Sequence, residues 1–194
     1  MRFFIKTILC MVLFTLISTT NASVVAGNPL GKVILTEFFD YTSPPCQAMG
    51  NVIQQLVKNN PQLRVVYRPI PVLGPNAKFA AESAVSAQRQ KKFAVFHTAL
   101  LNSNQPLTQE TILDIAKEVG INTRRLLSDM KNPVMQQDLR SNLQAAHDSK
   151  VHYLPTIIIT AGNPKKTPPV IFYGKVSLAQ LQTAVSNLQQ VAQK

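Results

Sequence analysis

Apolar residues recur along this chain with two spacings, one typical of strands and one typical of helices. Short runs rich in valine, isoleucine, leucine and phenylalanine predict buried strands, and they lie at 32–39, 62–68, 154–160 and 170–173. Apolar residues three and four positions apart predict amphipathic helices, and these lie at 44–58, 77–88, 92–101, 108–119, 123–130, from 132 onward and from 177 onward. Strands and helices therefore alternate toward both ends of the chain, whereas the middle is helical throughout.

The order of the predicted elements defines the fold class. A strand, a helix and a second strand form a parallel crossover, and two later strands form a hairpin covered by the last helix. Joined in one sheet, they give an α/β protein with a four-stranded mixed sheet and helices on both faces. The chain then divides into an N-terminal part at 23–75, a helical insertion at 76–150 and a C-terminal part at 151–194, and 23–31 is expected to be a short polar leader.

Residues 1–22 have the pattern of a secretory signal peptide. Arg2 and Lys6 precede an apolar run at 8–17, and Ala22 ends a stretch of small residues typical of a cleavage site. The alternative is a membrane anchor, but the run is shorter than the ~20 apolar residues that a membrane span needs. We therefore expect export to the periplasm, or secretion, with no membrane span after cleavage.

Export leaves the mature protein with a single thiol. Of the two cysteines in the chain, Cys10 lies within the apolar run of 1–22. The remaining Cys46 cannot form an internal disulfide, although the export signal implies an oxidising compartment. Two interpretations of Cys46 stand at this point: a buried, inert thiol, or a reactive one that glutathione or a substrate can capture.

Charge and histidine spacing indicate no cofactor, no metal and no nucleic acid. Loss of the two basic residues of 1–22 lowers the formal charge by two, from +11 to +9. The basic residues are scattered, so a solvated surface is the first interpretation and an anionic partner the weaker one.

His97, His147 and His152 lack metal-ligand spacing with one another or with Cys46. His97 is expected to be structural, whereas His152 precedes a strand-starting proline closely enough to approach a site there.

The polar turn Ser43-Pro44-Pro45-Cys46 joins the first predicted strand to the first predicted helix. Ser43 is placed to cap the helix with Pro44 at its first position, and its side-chain oxygen is expected to accept a backbone N–H such as that of Cys46. This structural role is favoured over nucleophilic catalysis, because no histidine or lysine next to it in sequence would activate the hydroxyl.

The turn and its surroundings resemble the DsbA-like family of exported thiol–disulfide oxidoreductases. The resemblance covers nearly the whole mature chain and rests on Glu-Phe-Phe-Asp-Tyr at 37–41, Ser-Pro-Pro-Cys at 43–46, Tyr-Arg-Pro-Ile-Pro-Val-Leu-Gly at 67–74 and Leu-Pro-Thr at 154–156. It implies a thioredoxin-like fold whose sheet is interrupted by an all-helical subdomain.

The resemblance also implies a role for each residue of the site. In the family the first motif cysteine is a nucleophile at the helix N-terminus, where Ser43 stands here, and the second, matched by Cys46, resolves the mixed disulfide. Glu37 matches a buried acid that relays the proton of that second thiol, the alternative being a hydrogen-bonded edge residue. Pro155 resembles the cis-proline that helps hold extended polypeptides, and Leu154 departs from the Val or Thr that is usual before it.

The predicted function follows from the missing thiol. Because Ser43 cannot form a disulfide, the resemblance implies an exported DsbA-like protein with at most monothiol chemistry at Cys46. The alternative is a redox-inactive chaperone or assembly protein that binds polypeptides in the same groove, beside Pro44, Pro45, Leu154 and Pro155. Whether the protein is an enzyme is left open. Its expected partners are unfolded or extended polypeptides and a redox partner protein, and it is expected to be a monomer.

Overall fold

The computed structural model describes residues 24–161 and 167–192, so the predicted signal peptide at 1–22 lies outside the described residues. The strands within them are β1 (Val24–Gly27), β2 (Val33–Phe39), β3 (Leu63–Pro69), β4 (Thr156–Ala161) and β5 (Val170–Tyr173). The helices are α1 (Pro44–Asn59), α2 (Pro75–Ala87), α3 (Phe93–Leu101), α4 (Gln109–Glu118), α5 (Thr123–Met130), α6 (Pro133–Asp148) and α7 (Leu178–Ala192), with a 3-10 turn at Gln88–Gln90. As predicted, the helices from α2 to α6 all lie between β3 and β4.

The strands form one mixed sheet in the order β1-β3-β2-β4-β5. β2 and β3 run parallel, and the other neighbouring strands are antiparallel. The predicted α/β fold class is confirmed, but the predicted count of four strands is wrong, because residues 24–27 pair with β3 instead of forming a polar leader. Four residues give too little alternation to distinguish a strand from a loop. Their conformation is set by the neighbouring strand, which lies far along the chain.

Gly27 allows β1 to end close against β3. Its φ is +70°, in the left-handed region that favours glycine, and a Cβ there would collide with the carbonyl oxygen of Leu63. A larger residue at this position would push the end of β1 away from the sheet.

Side chains on the two faces of β2 enter two different cores. Leu35 and Phe39 lie in the main core, whereas Phe38 packs with Ala146 of α6 in a smaller second cluster. This alternation is the ordinary geometry of a strand. Helices therefore cover both faces of the sheet, and Glu37 falls on the main-core face.

Local signals explain where the helices begin. At the start of α6, the side chain of Asn132 accepts the N–H of Val134 at 2.9 Å. Ser177 and Gln180 form the predicted capping box of α7, with reciprocal bonds of 3.1 and 3.3 Å from backbone N–H to side-chain oxygen. In the parts of the chain that the structure describes, no helix is both long and apolar enough to cross a membrane.

Three loops meet at one end of the sheet: the turn after β2, the loop after β3 and the loop before β4. Phe39 pairs with Pro69 at the parallel ends of β2 and β3. Phe38 pairs with Thr156 at the antiparallel start of β4, so the residue before Thr156 falls opposite Phe39. The candidate site lies at this end.

Candidate functional site

The turn after β2 places Ser43 at the N-cap of α1. Its φ of −85° and ψ of 118° are extended, and its carbonyl oxygen accepts the N–H of Gln47 at 2.9 Å. Pro44 and Pro45 begin the helix, where a missing N–H breaks no helical hydrogen bond. The helix therefore starts where the sequence predicted.

The predicted capping hydrogen bond of Ser43 is wrong. Its side chain makes no hydrogen bond to the helix backbone, and it lies instead close enough to the Cys46 side chain to lower the pKa of that thiol. Pro45 has no N–H, which removes one of the two usual partners of a capping side chain. The Ser43 hydroxyl therefore lies near the thiol, and it is the Ser43 carbonyl oxygen that accepts a helical hydrogen bond, from the N–H of Gln47.

Cys46 is a free and fully buried thiol at the third position of α1. Burial raises its pKa to about 11, and hydrogen bonds from the Ser43 side chain and the Asp40 backbone only partly oppose that rise. The Asp40 amide nitrogen lies 3.5 Å from the Cys46 sulfur. At neutral pH the group is thus a thiol and lacks the nucleophilic thiolate form.

Glu37 is a buried carboxyl beside Cys46. Neither of its oxygens has a hydrogen-bond partner within the described residues, and burial raises its pKa to about 8. Its charge would raise the pKa of Cys46, Tyr41 and Tyr67, so it lies near all three. The alternative of a hydrogen-bonded edge residue is wrong, because β2 lies between β3 and β4 and the carboxyl is unpaired there.

A buried aromatic cluster joins the turn to the helical insertion. The Tyr41 hydroxyl lies 2.9 Å from Nδ1 of His97, which stacks on Phe93 at 5.1 Å between ring centroids. Burial lowers the pKa of His97 to about 3, so the ring is neutral at physiological pH. The sequence placed His97 in the core, but gave no signal that it reaches a tyrosine adjoining the Ser-Pro-Pro-Cys turn.

Asp40 organises the turn, and sequence reasoning missed it. Its Oδ1 accepts the backbone N–H of Thr42 at 2.9 Å and the Thr42 hydroxyl at 2.7 Å. Its Oδ2 accepts the backbone N–H groups of Val72 and Leu73 at 2.9 and 3.1 Å. One buried carboxylate thus fixes the loop after β3 against the turn that carries Ser43.

We expect Asp40→Asn to lower the free energy of unfolding by about 2 kcal/mol, because an amide NH₂ would face backbone donors that now bind a carboxylate. Urea unfolding measures this change. Asp114→Asn is the matched control, since Asp114 is exposed and its side chain bonds only Lys117 in the described residues. A loss in Asp40→Asn no larger than in the control would contradict this role.

The loop before β4 carries the second predicted part of the site. The Leu154–Pro155 peptide bond is cis, and the Pro155 carbonyl oxygen accepts the N–H of Gly174 at 2.8 Å. Beside it Tyr153 and Tyr173 form an edge-to-face pair with ring centroids 6.3 Å apart. These rings are 68% and 56% exposed. The sequence did not reveal this pair, because Tyr153 lies in the loop before β4 and Tyr173 at the end of β5.

Pro44 and Pro45 are exposed at the start of α1. Pro44 lines an open groove of about 550 Å³ together with Thr42, Gln47 and Leu73. The other wall of the groove is the loop between α3 and α4. Pro44, at the start of α1, and Pro155, in the loop before β4, thus lie at the same end of the sheet.

His147 and His152 make no side-chain hydrogen bond to the site within the described residues. His152 is exposed, and within the described ranges it makes no side-chain hydrogen bond to Ser43, Cys46 or Glu37. Among residues 24–161 and 167–192, no three His, Cys, Asp or Glu side chains are grouped as a metal site.

The structure combines a mixed sheet and a helical insertion with a Ser-Pro-Pro-Cys helix start and a cis-proline at the same end of the sheet. Together these features define a thioredoxin-like protein. The family model of the DSBA-like thioredoxin domain matches residues 34–186. This chain therefore belongs to the DsbA-like thioredoxin domain family.

Solved structures and a curated protein agree with this family. The thioredoxin-like oxidoreductase from Silicibacter pomeroyi DSS-3 is 32% identical, with a TM-score of 0.80 over 87% of this chain and 93% of that one. The thiol-disulfide exchange protein alpha-DsbA2 from Wolbachia pipientis is 28% identical, with a TM-score of 0.76 over 86% and 87%. The thiol:disulfide interchange protein DsbA of Burkholderia cepacia is 23% identical over 137 residues, 68% of this chain and 64% of that protein. The chain spans less than two thirds of the curated relatives that it matches.

Proposed function

We propose that this protein is an exported DsbA-like protein in which dithiol exchange has been lost, because Ser43 stands where the family has its nucleophilic cysteine. The supporting observation is the start of α1, where the N-cap carries a hydroxyl and Cys46 is the free cysteine of the described residues. A disulfide that can be passed to a substrate needs two thiols. A hydroxyl does not supply the second one.

Cys46 supports at most monothiol chemistry in this proposal. Its burial and its pKa of about 11 both oppose attack on a disulfide. Glu37, with a pKa of about 8, is mostly protonated at neutral pH and is the proposed proton relay for this thiol. The nearby Ser43 hydroxyl lowers the pKa of this thiol, but not enough to offset the effect of burial. An enzymatic role therefore requires a conformational change that exposes Cys46.

Reaction with a disulfide reagent tests whether Cys46 does such chemistry. At pH 8 a thiol with a pKa of about 11 instead of 9 has roughly 100-fold less thiolate, and burial blocks the reagent as well. We expect the folded protein to react at least ~100-fold more slowly than the protein unfolded in urea. Equal rates in the two states would show an accessible, reactive monothiol.

Export is part of the same proposal and rests on the sequence of residues 1–22, with their basic start and apolar run. The proposed location is the periplasm, or the medium after secretion. We propose a monomer whose partners are unfolded or extended polypeptides and, if Cys46 is reactive, a redox partner protein. Signal cleavage after Ala22 is checked by the N-terminal sequence and mass of the exported protein.

A second candidate function is polypeptide binding without redox chemistry, and the exposed Tyr153–Tyr173 pair favours it. The pair lies beside Pro155, and Leu154 is only half-buried next to it. β5 is the last strand in the sheet order of the described residues, and an added extended chain is proposed to pair with its outer backbone groups. Pro44 and Pro45, which are exposed at the start of α1, are the proposed contacts on the α1 side.

Binding of a labelled, carboxymethylated polypeptide that cannot fold tests this function. We expect Tyr173→Ala to weaken binding roughly 10-fold, because an exposed aromatic anchor is removed. Val134→Ala is the control, since Val134 is an exposed apolar residue on α6. Cys46→Ser should leave the affinity unchanged. Loss of binding in Cys46→Ser, or none in Tyr173→Ala, would count against this function.

A further inference from the structure

A second pocket, of about 450 Å³, lies between the end of β3 and α6. It shares no lining residue with the groove beside Pro44. We propose that this pocket is a binding site for a small oxyanion, a carboxylate or phosphate group, held by Arg68 and Arg140. Polar side chains make up most of its lining: Arg68, Gln137, Arg140, Ser141, Gln144 and Asp148.

Arg68 is the anchor of the proposed site. It is half-buried, and burial lowers its pKa. None of the ion pairs in the described residues includes it, although every acidic residue of the chain lies in those ranges. A partly buried cation without a counter-charge is unfavourable, and an incoming oxyanion would supply that charge.

The guanidinium of Arg68 is held in position by a fully buried amide. Its Nη1 donates to Oδ1 of Asn142 at 3.2 Å, and Asn142 Nδ2 in turn lies 3.5 Å from the Pro69 carbonyl oxygen. This is the one side-chain hydrogen bond that Arg68 makes within the described residues, so most of its five donors are left for a ligand. A fixed guanidinium fork matches two oxygens of a carboxylate or phosphate.

Arg140 supplies the second positive charge. Its Nε and Nη2 both bind Oε1 of Gln137, at 3.3 and 3.0 Å, which orients the guanidinium along α6. Asp148 is the single carboxylate in the lining, and its Oδ1 already accepts Nε2 of Gln144 at 2.8 Å and lies 3.4 Å from His147 Nδ1. Two guanidinium groups against one carboxylate leave the pocket with a net positive charge.

The size of the pocket limits the ligand class. A volume of about 450 Å³ exceeds that of a bare inorganic anion and falls within the range of small-ligand pockets. The acidic group would sit on Arg68, and the open remainder, lined by amide side chains and Ser141, would take a small polar body. The expected ligand is therefore a small organic acid, a phosphate ester or the terminal carboxylate of a peptide.

Calorimetric titration with inorganic phosphate, at ionic strength held constant with chloride, tests the site. We expect saturable binding that Arg68→Gln weakens at least ~10-fold and that Arg140→Gln, an exposed position, weakens by about 3-fold to 10-fold. Arg124→Gln is the control, because it removes one exposed charge on α5 and lies outside the pocket. If Arg68→Gln does not fold, Arg140→Gln alone decides. Equal loss in Arg124→Gln overturns the proposal.

Three further probes distinguish the sources of the acidic group. Acetate is compared with phosphate, and an N-acetylated tripeptide with a free C-terminus is compared with its amide. Tighter binding of phosphate than of acetate assigns the site to a phosphate group, and tighter binding of the free tripeptide than of its amide assigns it to a chain-terminal carboxylate. No saturable binding of any of the probes overturns the proposal for both sources.

Discussion

Raising the pH from 6.5 to 8 should lower the free energy of unfolding by about 2 kcal/mol, because Glu37 keeps its proton in the folded state through most of this range, whereas the unfolded chain has already lost it. The carboxyl has an ordinary pKa of 4.5 and a folded pKa of about 8. Between these values the folded protein therefore holds one more proton than the unfolded chain. The free energy of unfolding therefore falls as the pH rises from about 4.5 to about 8, and it levels off only above about pH 8.

Other buried titratable groups limit the pH range in which Glu37 dominates the pH dependence of stability. Below pH 6.5 the unfolded chain protonates His97, whereas burial keeps the folded ring neutral down to about pH 3, so acidification lowers stability there. Toward alkaline pH, burial raises the pKa values of Tyr41, Tyr67 and Cys46, so these groups affect stability only when their unfolded forms ionise. Glu37 is thus the main group that changes between pH 6.5 and 8.

Glu37→Gln isolates this effect. The variant cannot ionise at this position, so its free energy of unfolding should stay level from pH 6.5 to 8 and should exceed that of the wild type at pH 8. Urea unfolding at several pH values measures the slope. Glu118→Gln is the matched control, since Glu118 is exposed on α4 and its loss should leave the slope intact. A slope that persists in Glu37→Gln would show that another group is responsible.

Ser43→Cys should create an internal disulfide with Cys46. Position 43 is the N-cap of α1, where backbone N–H groups and the helix dipole lower the pKa of a thiol below its ordinary range. The Ser43 side chain is already close enough to the Cys46 side chain to lower the pKa of its thiol, so the new sulfur would lie next to its partner. Pro44 and Pro45 hold the intervening backbone in the helix start.

Alkylation and intact mass measure this outcome. After oxidation the variant should carry no free thiol and should lose about two mass units, as one disulfide requires. Ser43→Ala is the control and should keep one thiol. A covalent dimer of the oxidised variant, or two persistent free thiols, would show that the two positions are not aligned for a disulfide.

Local sequence signals were sufficient for most of the fold. Two predicted helix starts are confirmed: the cap at Asn132, which precedes a proline, and the capping box of Ser177 and Gln180. Such caps are predictable because they depend on residues within one turn of the helix. β1 was missed because a four-residue strand is defined by its partner. The predicted Ser43 capping bond was wrong: Pro45 removes one of the two usual N–H partners, and the Ser43 side chain lies near the Cys46 thiol instead.

The candidate site was predictable where the resemblance named positions and unpredictable where distant residues meet. Ser43 and Cys46 were located by their motif. Asp40 binds the loop after β3, and Tyr41 meets His97 of α3, through contacts that no spacing rule encodes. The exposed Tyr153–Tyr173 pair likewise arises only when β5 is laid against β4.

The central claim is that the scaffold is intact and that exchange chemistry was lost at one position. The most direct test is the reduction of insulin by dithiothreitol, which is measured as an increase in turbidity. Wild type and Ser43→Cys are compared side by side. We expect the wild type to match the protein-free rate and Ser43→Cys to exceed it at least ~10-fold, since only the variant has two thiols to cycle. A wild-type rate equal to that of the variant would contradict the claim.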